Sequence, residues 1–174
     1  MSSRTGIADL PELQRAGRLG IRVRPMADED MPFLAELYRS TREEELALTG
    51  WGETQKQSFV DMQFRAQHVH YQKHYPDALW LILEKAGEAV GRLYLERWSK
   101  EHRIIDIALL PLARGHGLGE AILRDLHEEA AQDSKTVSIH VEKVNPAMSL
   151  YRRLGYRTIE DKGVHDLLVW TPPA

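Results

Sequence analysis

The chain has 174 residues, 23 Lys+Arg against 26 Asp+Glu, and no Cys. That length supports one domain with a substantial core, and the near balance of charge excludes a nucleic-acid-coated surface. The lack of Cys excludes a disulfide scaffold, a thiolate nucleophile and a Cys-ligated zinc. No apolar run approaches the roughly 20 residues of a bilayer span, and the start lacks a signal-peptide core, so a cytoplasmic protein without a membrane partner is expected.

Residues 1–20 read as an N-terminal arm with a short helix between Asp9 and Arg18, ahead of a single domain at 21–174. Residues 21–26 alternate apolar and basic, which predicts a half-buried strand. A helix opens at Asp28 and ends near Arg42, and residues 43–53, with Gly50 and Gly52 around Trp51, read as a linker. From about Thr54 a long helix should carry Phe59, Met62, Ala66 and Val69 on one stripe, stopped at Pro76.

Residues 78–84 form a continuous apolar strand and 85–88 a hairpin turn. The next strand returns over 89–98 with a bulge at Gly91. After a turn at 99–102 a third strand covers 103–110. Residues 117–132 then read as a helix with Leu118, Ala121, Ile122, Leu126 and Ala130 facing a core. A strand at 136–141, parallel to the one before that helix, completes a β-α-β crossover. The last helix spans 145–154, ended by Gly155 as a left-handed cap, and a hairpin of 156–161 with 166–171 closes the chain.

The stretch between the third strand and its helix carries the chemistry. Arg114, Gly115, His116, Gly117, Leu118 and Gly119 make a helix start nearly free of side chains, with unpaired backbone N–H groups and a positive dipole end suited to a phosphate. No Lys follows the glycines, so a Walker loop is excluded. A dinucleotide fingerprint needs G-x-G-x-x-G and this run is one residue short, although Glu142 lies at about the distance of a ribose contact. Three consecutive strands with no helix between them also argue against a Rossmann unit. His68 and His70 fall on different sides of a helix, and neither H-E-x-x-H nor a Cys partner is present, so no metal is expected.

Arg114 to Gly119 resembles the [RQ]-x-x-G-x-[GA] pyrophosphate loop of the GNAT acyl-CoA N-acyltransferase superfamily. A second block, from Asn145 through Tyr151 to Gly155 and Tyr156, is similar to that family's N-x-x-A-x-x-[LF]-Y-x-x-x-G-[FY] segment, with Met148 rather than Ala one place after Ala147. The resemblance covers residues 21–170. It implies an α/β fold: a GNAT-like mixed, mostly antiparallel sheet of about seven strands flanked by about four helices, built on a β-α-β acyl-CoA-binding core.

By the same resemblance, acetyl-CoA is the acyl donor. Backbone groups of Ile107 and Leu109, with Ala108 between them, would pair with pantetheine. Arg114, Gly115, His116, Gly117, Leu118 and Gly119 would hold the phosphates, and Asn145 would lie beside the pantetheine. Tyr151 matches the tyrosine that protonates the departing sulfur, a role suited to a phenol of pKa near 10; packing on the sheet is the alternative for that side chain.

Many relatives carry a base-serving Glu where this chain has Arg103. Asp106 is the one carboxylate inside the apolar strand, either a base or the partner of an Arg such as Arg92 or Arg97. His140 and Glu142 share a face of the next strand and could serve through water or hold the acceptor. Trp51, Phe64, His68, Tyr71, Tyr94 and Trp98 either line an acceptor pocket or pack the core.

The expected activity is direct acetyl transfer to a primary amine of a small molecule or peptide. The rivals are a non-catalytic acyl-CoA-binding module and a nicotinamide-dependent oxidoreductase. Exposed strand edges offer a route to a homodimer.

Overall fold

The computed structural model describes residues 9–174; the first eight residues of the expected arm lie outside the described range. The fold is a seven-stranded sheet in the order β1-β2-β3-β4-β5-β7-β6. Its strands are β1 (Ile21–Pro25), β2 (Leu79–Lys85), β3 (Glu88–Arg97), β4 (Glu101–Leu109), β5 (Thr136–Glu142), β6 (Arg157–Asp161) and β7 (His165–Trp170). Every neighbouring pair is antiparallel except β4 and β5. This is the mixed, mostly antiparallel sheet with a β-α-β core that the sequence led us to expect. No described helix is long and apolar enough to cross a membrane.

Strand alternation sends side chains to two separate cores. On one face Leu81, Leu83, Leu93, Leu95 and Ile104 pack with α5 (Leu118–Gln132) and α6 (Met148–Arg153). The five α5 residues expected to face a core are all buried. On the other face Ile82 joins α2 (Met31–Ser40), α3 (Glu43–Ala47) and α4 (Glu53–His74). Tyr94 and Ile105 pack on this second face with Ala78 and Tyr71.

Three readings need correction. Residues 43–53 are not only a linker: three glutamates open α3, where the helix dipole favours them, and Leu46 anchors it in the core. The buried stripe of α4 is Val60 and Phe64 rather than the predicted one, for Met62 and Val69 are 62% and 63% exposed. The last helix begins at Met148, because Asn145 and Pro146 form the turn before it; Gly155 does end it, at φ +100°.

The helix α1 (Gln14–Arg18) is fastened to α5 chiefly by one buried carboxylate, with Glu128 also accepting from Arg15. Asp125 is buried; its Oδ1 accepts the Arg15 N–H (3.1 Å) and its Oδ2 the Ala16 N–H (3.0 Å). A carboxylate from a distant helix thus satisfies donors that the first turn of α1 leaves unpaired.

Two bulges shape the middle of the sheet. On β3 the register shifts so that Val90, beside Gly91, is the extra residue between the pairs Leu83–Gly91 and Glu84–Ala89. On β4 Ile105 is extra between Tyr94–Asp106 and Leu95–Ile104. The second bulge reverses the alternation, turning Asp106 from the α5 face to the α4 face and Ile107 and Leu109 towards α5.

Candidate active site

Pairing between β4 and β5 runs from Glu101–Thr136 to Ile104–Ile139 and stops there. Beyond it both strands continue without pairing to each other, and the sheet opens. The Leu110 N–H donates to the Val90 carbonyl (2.8 Å). By alternation, Ala108 and Asp106 also turn their backbone groups to β3, while those of Ile107 and Leu109 face the opening. The predicted positions Ile107 and Leu109 therefore border the gap, whereas the backbone of Ala108 is spent within the sheet.

The loop after β4 is a 3-10 turn (Pro111–Ala113) followed by Arg114. Gly115 and Gly117 both have φ +77°, a conformation open to Gly at little cost, and Gly117 is the N-cap of α5. No side chain caps this helix, so the first-turn N–H groups of Leu118, Gly119 and Glu120 remain available to an anion. Arg114 and His116 are exposed beside them. Arg114 Nε donates to the Leu109 carbonyl (2.9 Å), so the guanidinium lies across the end of the opening. Asn145 is exposed, and its Oδ1 accepts the Ala147 N–H (2.8 Å).

Tyr151 projects from α6 into the α5-side core, edge-on to Tyr156 with ring centroids 5.3 Å apart. Burial, then the charge of Asp106, raises its pKa above the ordinary phenol value, so the hydroxyl keeps its proton. Asp106 sits on the α4 face. Its Oδ2 accepts from Arg92 Nη2 (2.7 Å) and from the Tyr71 hydroxyl (3.1 Å). Arg92, whose side chain is 4% exposed, also donates to Gln67 and lies over the Tyr94 ring. Burial works against the Arg92 charge, and Asp106 together with Tyr94 and Tyr71 more than offsets it. Tyr71 is likewise kept protonated by burial and then by Asp106. The Asp106–Arg92 pair weighed from the sequence is thus present, with the second oxygen of Asp106 left to other partners.

The remaining predicted residues divide. Phe64 and Tyr94 are core, and Trp51 packs edge-on to Phe59. His68 lies half-buried beside Phe64; burial, then the Arg92 charge, lowers its pKa and favours the neutral ring. Glu142 pairs with Arg42 (3.1 Å). Trp98 lies under the Arg103 guanidinium at 4.8 Å, and Arg103 reaches β5. That contact between Arg103 and β5 was missed from the sequence, because it follows from the parallel register of Arg103 with Ser138.

Comparison with known proteins agrees with this geometry. The model of the Acetyltransferase (GNAT) domain matches residues 76–158, which hold β2 through α6, the opening and the glycine loop. A Bacillus subtilis (strain 168) protein named as a candidate ribosomal protein bS18-alanine N-acetyltransferase is 28% identical over 127 residues, 68% of this chain and 84% of that one. Among solved structures, PaiA N-acetyltransferase from Thermoplasma acidophilum in complex with coenzyme A superposes with TM-score 0.64. It is 16% identical, covering 87% of this chain and 98% of that one. The ribosomal-protein-S18-alanine N-acetyltransferase of Escherichia coli superposes at 0.51, with 19% identity over 88% and 93%. The fold, the glycine loop and the family match agree: residues 76–158 match the GNAT acetyltransferase domain, within a fold shared with solved N-acetyltransferases.

Proposed function

We propose that this protein transfers an acetyl group from acetyl-CoA directly to a primary amine, and that the acceptor is the N-terminal amine of a peptide or protein, as the names of two relatives suggest. The observation that carries the reading is the β4–β5 opening, with a glycine-rich, uncapped helix start at one end and Asp106 on its wall. In this reading residues 21–174 are the acyltransferase domain, 1–20 an N-terminal arm whose helix α1 is clipped to it, and the protein acts in the cytoplasm.

Pantetheine lies in the opening against the backbone of Ile107 and Leu109, with Asn145 beside it. The pyrophosphate rests on the first turn of α5, with Arg114 swung from the Leu109 carbonyl onto the phosphates. An α-amino group with pKa about 7.7–8.0 is mostly protonated at pH 7, so a carboxylate serves first to attract it. The unshared oxygen of Asp106 accepts a proton from the ammonium, and the freed nitrogen attacks the thioester carbon. As the C–S bond breaks, the Tyr151 hydroxyl gives its proton to the sulfur, and the second proton shed by the attacking nitrogen restores the phenol, leaving an amide and CoA.

The test joins thermal unfolding with acetyl-CoA, CoA and NAD to a thiol-release assay over alkyl amines and peptides with free N-termini. A ligand at 100 times its Kd should add about 2.7 kcal/mol. Stabilisation by acetyl-CoA and thiol release with peptides support the proposal. Stabilisation without release from any amine would make the chain a binding module, and no stabilisation would remove the cofactor site.

A further inference from the structure

Arg103 stands where the family resemblance leads one to look for a carboxylate, and it is buried on the acceptor side of β4. Its Nε donates to Ser138 Oγ (2.8 Å), and Ser138 in turn donates to Glu101. The guanidinium lies over the Trp98 ring, 3.8 Å from Glu101. Nη1 is 3.5 Å from the Tyr75 hydroxyl and 3.3 Å from Nδ1 of His140. The guanidinium is therefore fixed on several sides, and one edge is aimed at an imidazole nitrogen.

A guanidinium has only donors, so the nitrogen facing it must offer a lone pair. In a neutral imidazole the proton then resides on Nε2. Burial, then the charges of Arg103, Lys162 and His165, disfavour the imidazolium, with Glu160 acting the other way. His140 directly follows the last β4–β5 pair, so it stands on β5 at the mouth of the opening, with Ile105 next in line on β4 and Asp106 one residue beyond. Its Nε2 hydrogen-bonds to no described residue. The lone pair of His140 is engaged, which makes it a poor base; what it offers the acceptor space is an N–H.

We propose that Arg103 holds His140 as a neutral donor whose Nε2–H receives a carbonyl oxygen of the acceptor, so the site prefers an amine borne on a carbon next to a carbonyl, the aminoacyl end of a peptide, over a simple alkyl amine. Asp106 attracts the ammonium from one wall and His140 takes the carbonyl from the other. An alkyl amine satisfies only the first. Here His140 touches substrate, and Arg103 is a positioning residue. The proposal rests on the acetyl-transfer reading above.

The test uses the full chain with saturating acetyl-CoA and two acceptors: an alanyl peptide, and its analogue in which the first carbonyl is reduced to a methylene. His140→Ala should lose about tenfold in kcat/KM on the peptide, mostly through KM, and little on the analogue. His140→Gln, which restores an N–H donor, should recover most of that loss. Independently of activity, 15N spectra of the labelled imidazoles should give His140 as the Nε2–H tautomer at pH 7, and Arg103→Met should abolish that preference. Equal losses on both acceptors, no recovery with Gln, or an Nδ1–H or charged ring in the wild-type protein would overturn the proposal. If the spectra give Nε2–H but the wild-type protein acetylates neither acceptor, the acetyl-transfer reading fails and carries the carbonyl contact down with it.

Discussion

Gly91 offers a direct way to perturb the opening without replacing any residue that borders it. A Cβ at this position would lie 2.4 Å from the Ala108 carbonyl oxygen, 2.8 Å from Leu109 Cδ2 and 3.3 Å from Leu109 Cα. The leucine methyl can swing aside, but the carbonyl belongs to the backbone of β4. An ordinary carbon–oxygen contact is about 3.3 Å, so β4 must retreat by about 0.9 Å at residue 108. Overpacking of this kind costs about 1–3 kcal/mol of stability. It also moves the neighbours Ile107 and Leu109, the groups assigned to pantetheine; weakening two hydrogen bonds of about 1 kcal/mol each predicts a Kd for CoA raised by about 10- to 30-fold. Denaturant unfolding and calorimetric titration of Gly91→Ala with CoA measure both effects. A variant as stable as the parent that binds CoA equally well would refute the account of why a side chain is missing here. A variant that is destabilised but binds normally would separate Gly91 from the cofactor site.

Other changes test other parts. Tyr151→Phe should lower kcat by about 100-fold with little change in the KM for acetyl-CoA; steady-state kinetics with activity near the parent's would show that the thiolate leaves without that proton. Asp106→Asn leaves the buried Arg92 uncompensated and should cost about 3 kcal/mol in urea unfolding, whereas Arg92→Met with Asp106→Leu should restore the fold but not the turnover. A fully active double variant would remove Asp106 from the chemistry. His127 is buried, hydrogen-bonded to the Tyr156 hydroxyl (2.7 Å) and stacked on Trp170, and burial, then Arg124, lowers its pKa from 6.5 to about 4. Because the folded value lies below the unfolded one, its contribution is complete above pH 6.5 and drains away as pH falls towards 4, about 3 kcal/mol in all. His127→Gln should lose less stability than the parent between pH 7 and 4.5, and equal losses in urea titrations would contradict this.

Features that depend on local chemistry were legible in the sequence. The stripe on α5 repeats at helical spacing, and Gly117 and Gly155 mark places where the chain needs a positive φ. The resemblance to acyltransferases was legible too, because the glycine loop and the Asn145 block are each continuous in the chain. Features set by register were not legible. Alternation along β4 would put Asp106 on the same face as Ile104; only the extra residue Ile105 turns it to α4, and nothing in the residues from Ile104 to Ala108 announces a bulge. The stripe on α4 was misread for a related reason. Its apolar residues lie on more than one side, and the buried face is chosen by Gln67 and Tyr71 reaching Arg92 and Asp106 across the sheet. The tie between Arg103 and His140 likewise exists only once two strands are aligned in parallel.

The position of β7 has a consequence for how the molecule is assembled during synthesis. The parts assigned to the donor, from β2 to α6, are contiguous in the chain and are made together. The wall bearing His140 is different: its outer edge is covered only by β7, which pairs His140 with Leu167 and Glu142 with His165 and slots between β5 and the earlier-made β6. A nascent chain ending before residue 165 would have its glycine loop and α5 but an acceptor wall with a bare edge. Cofactor-binding capacity should therefore arise on the ribosome before acceptor recognition, and ribosome-bound chains stalled at successive lengths would display that order.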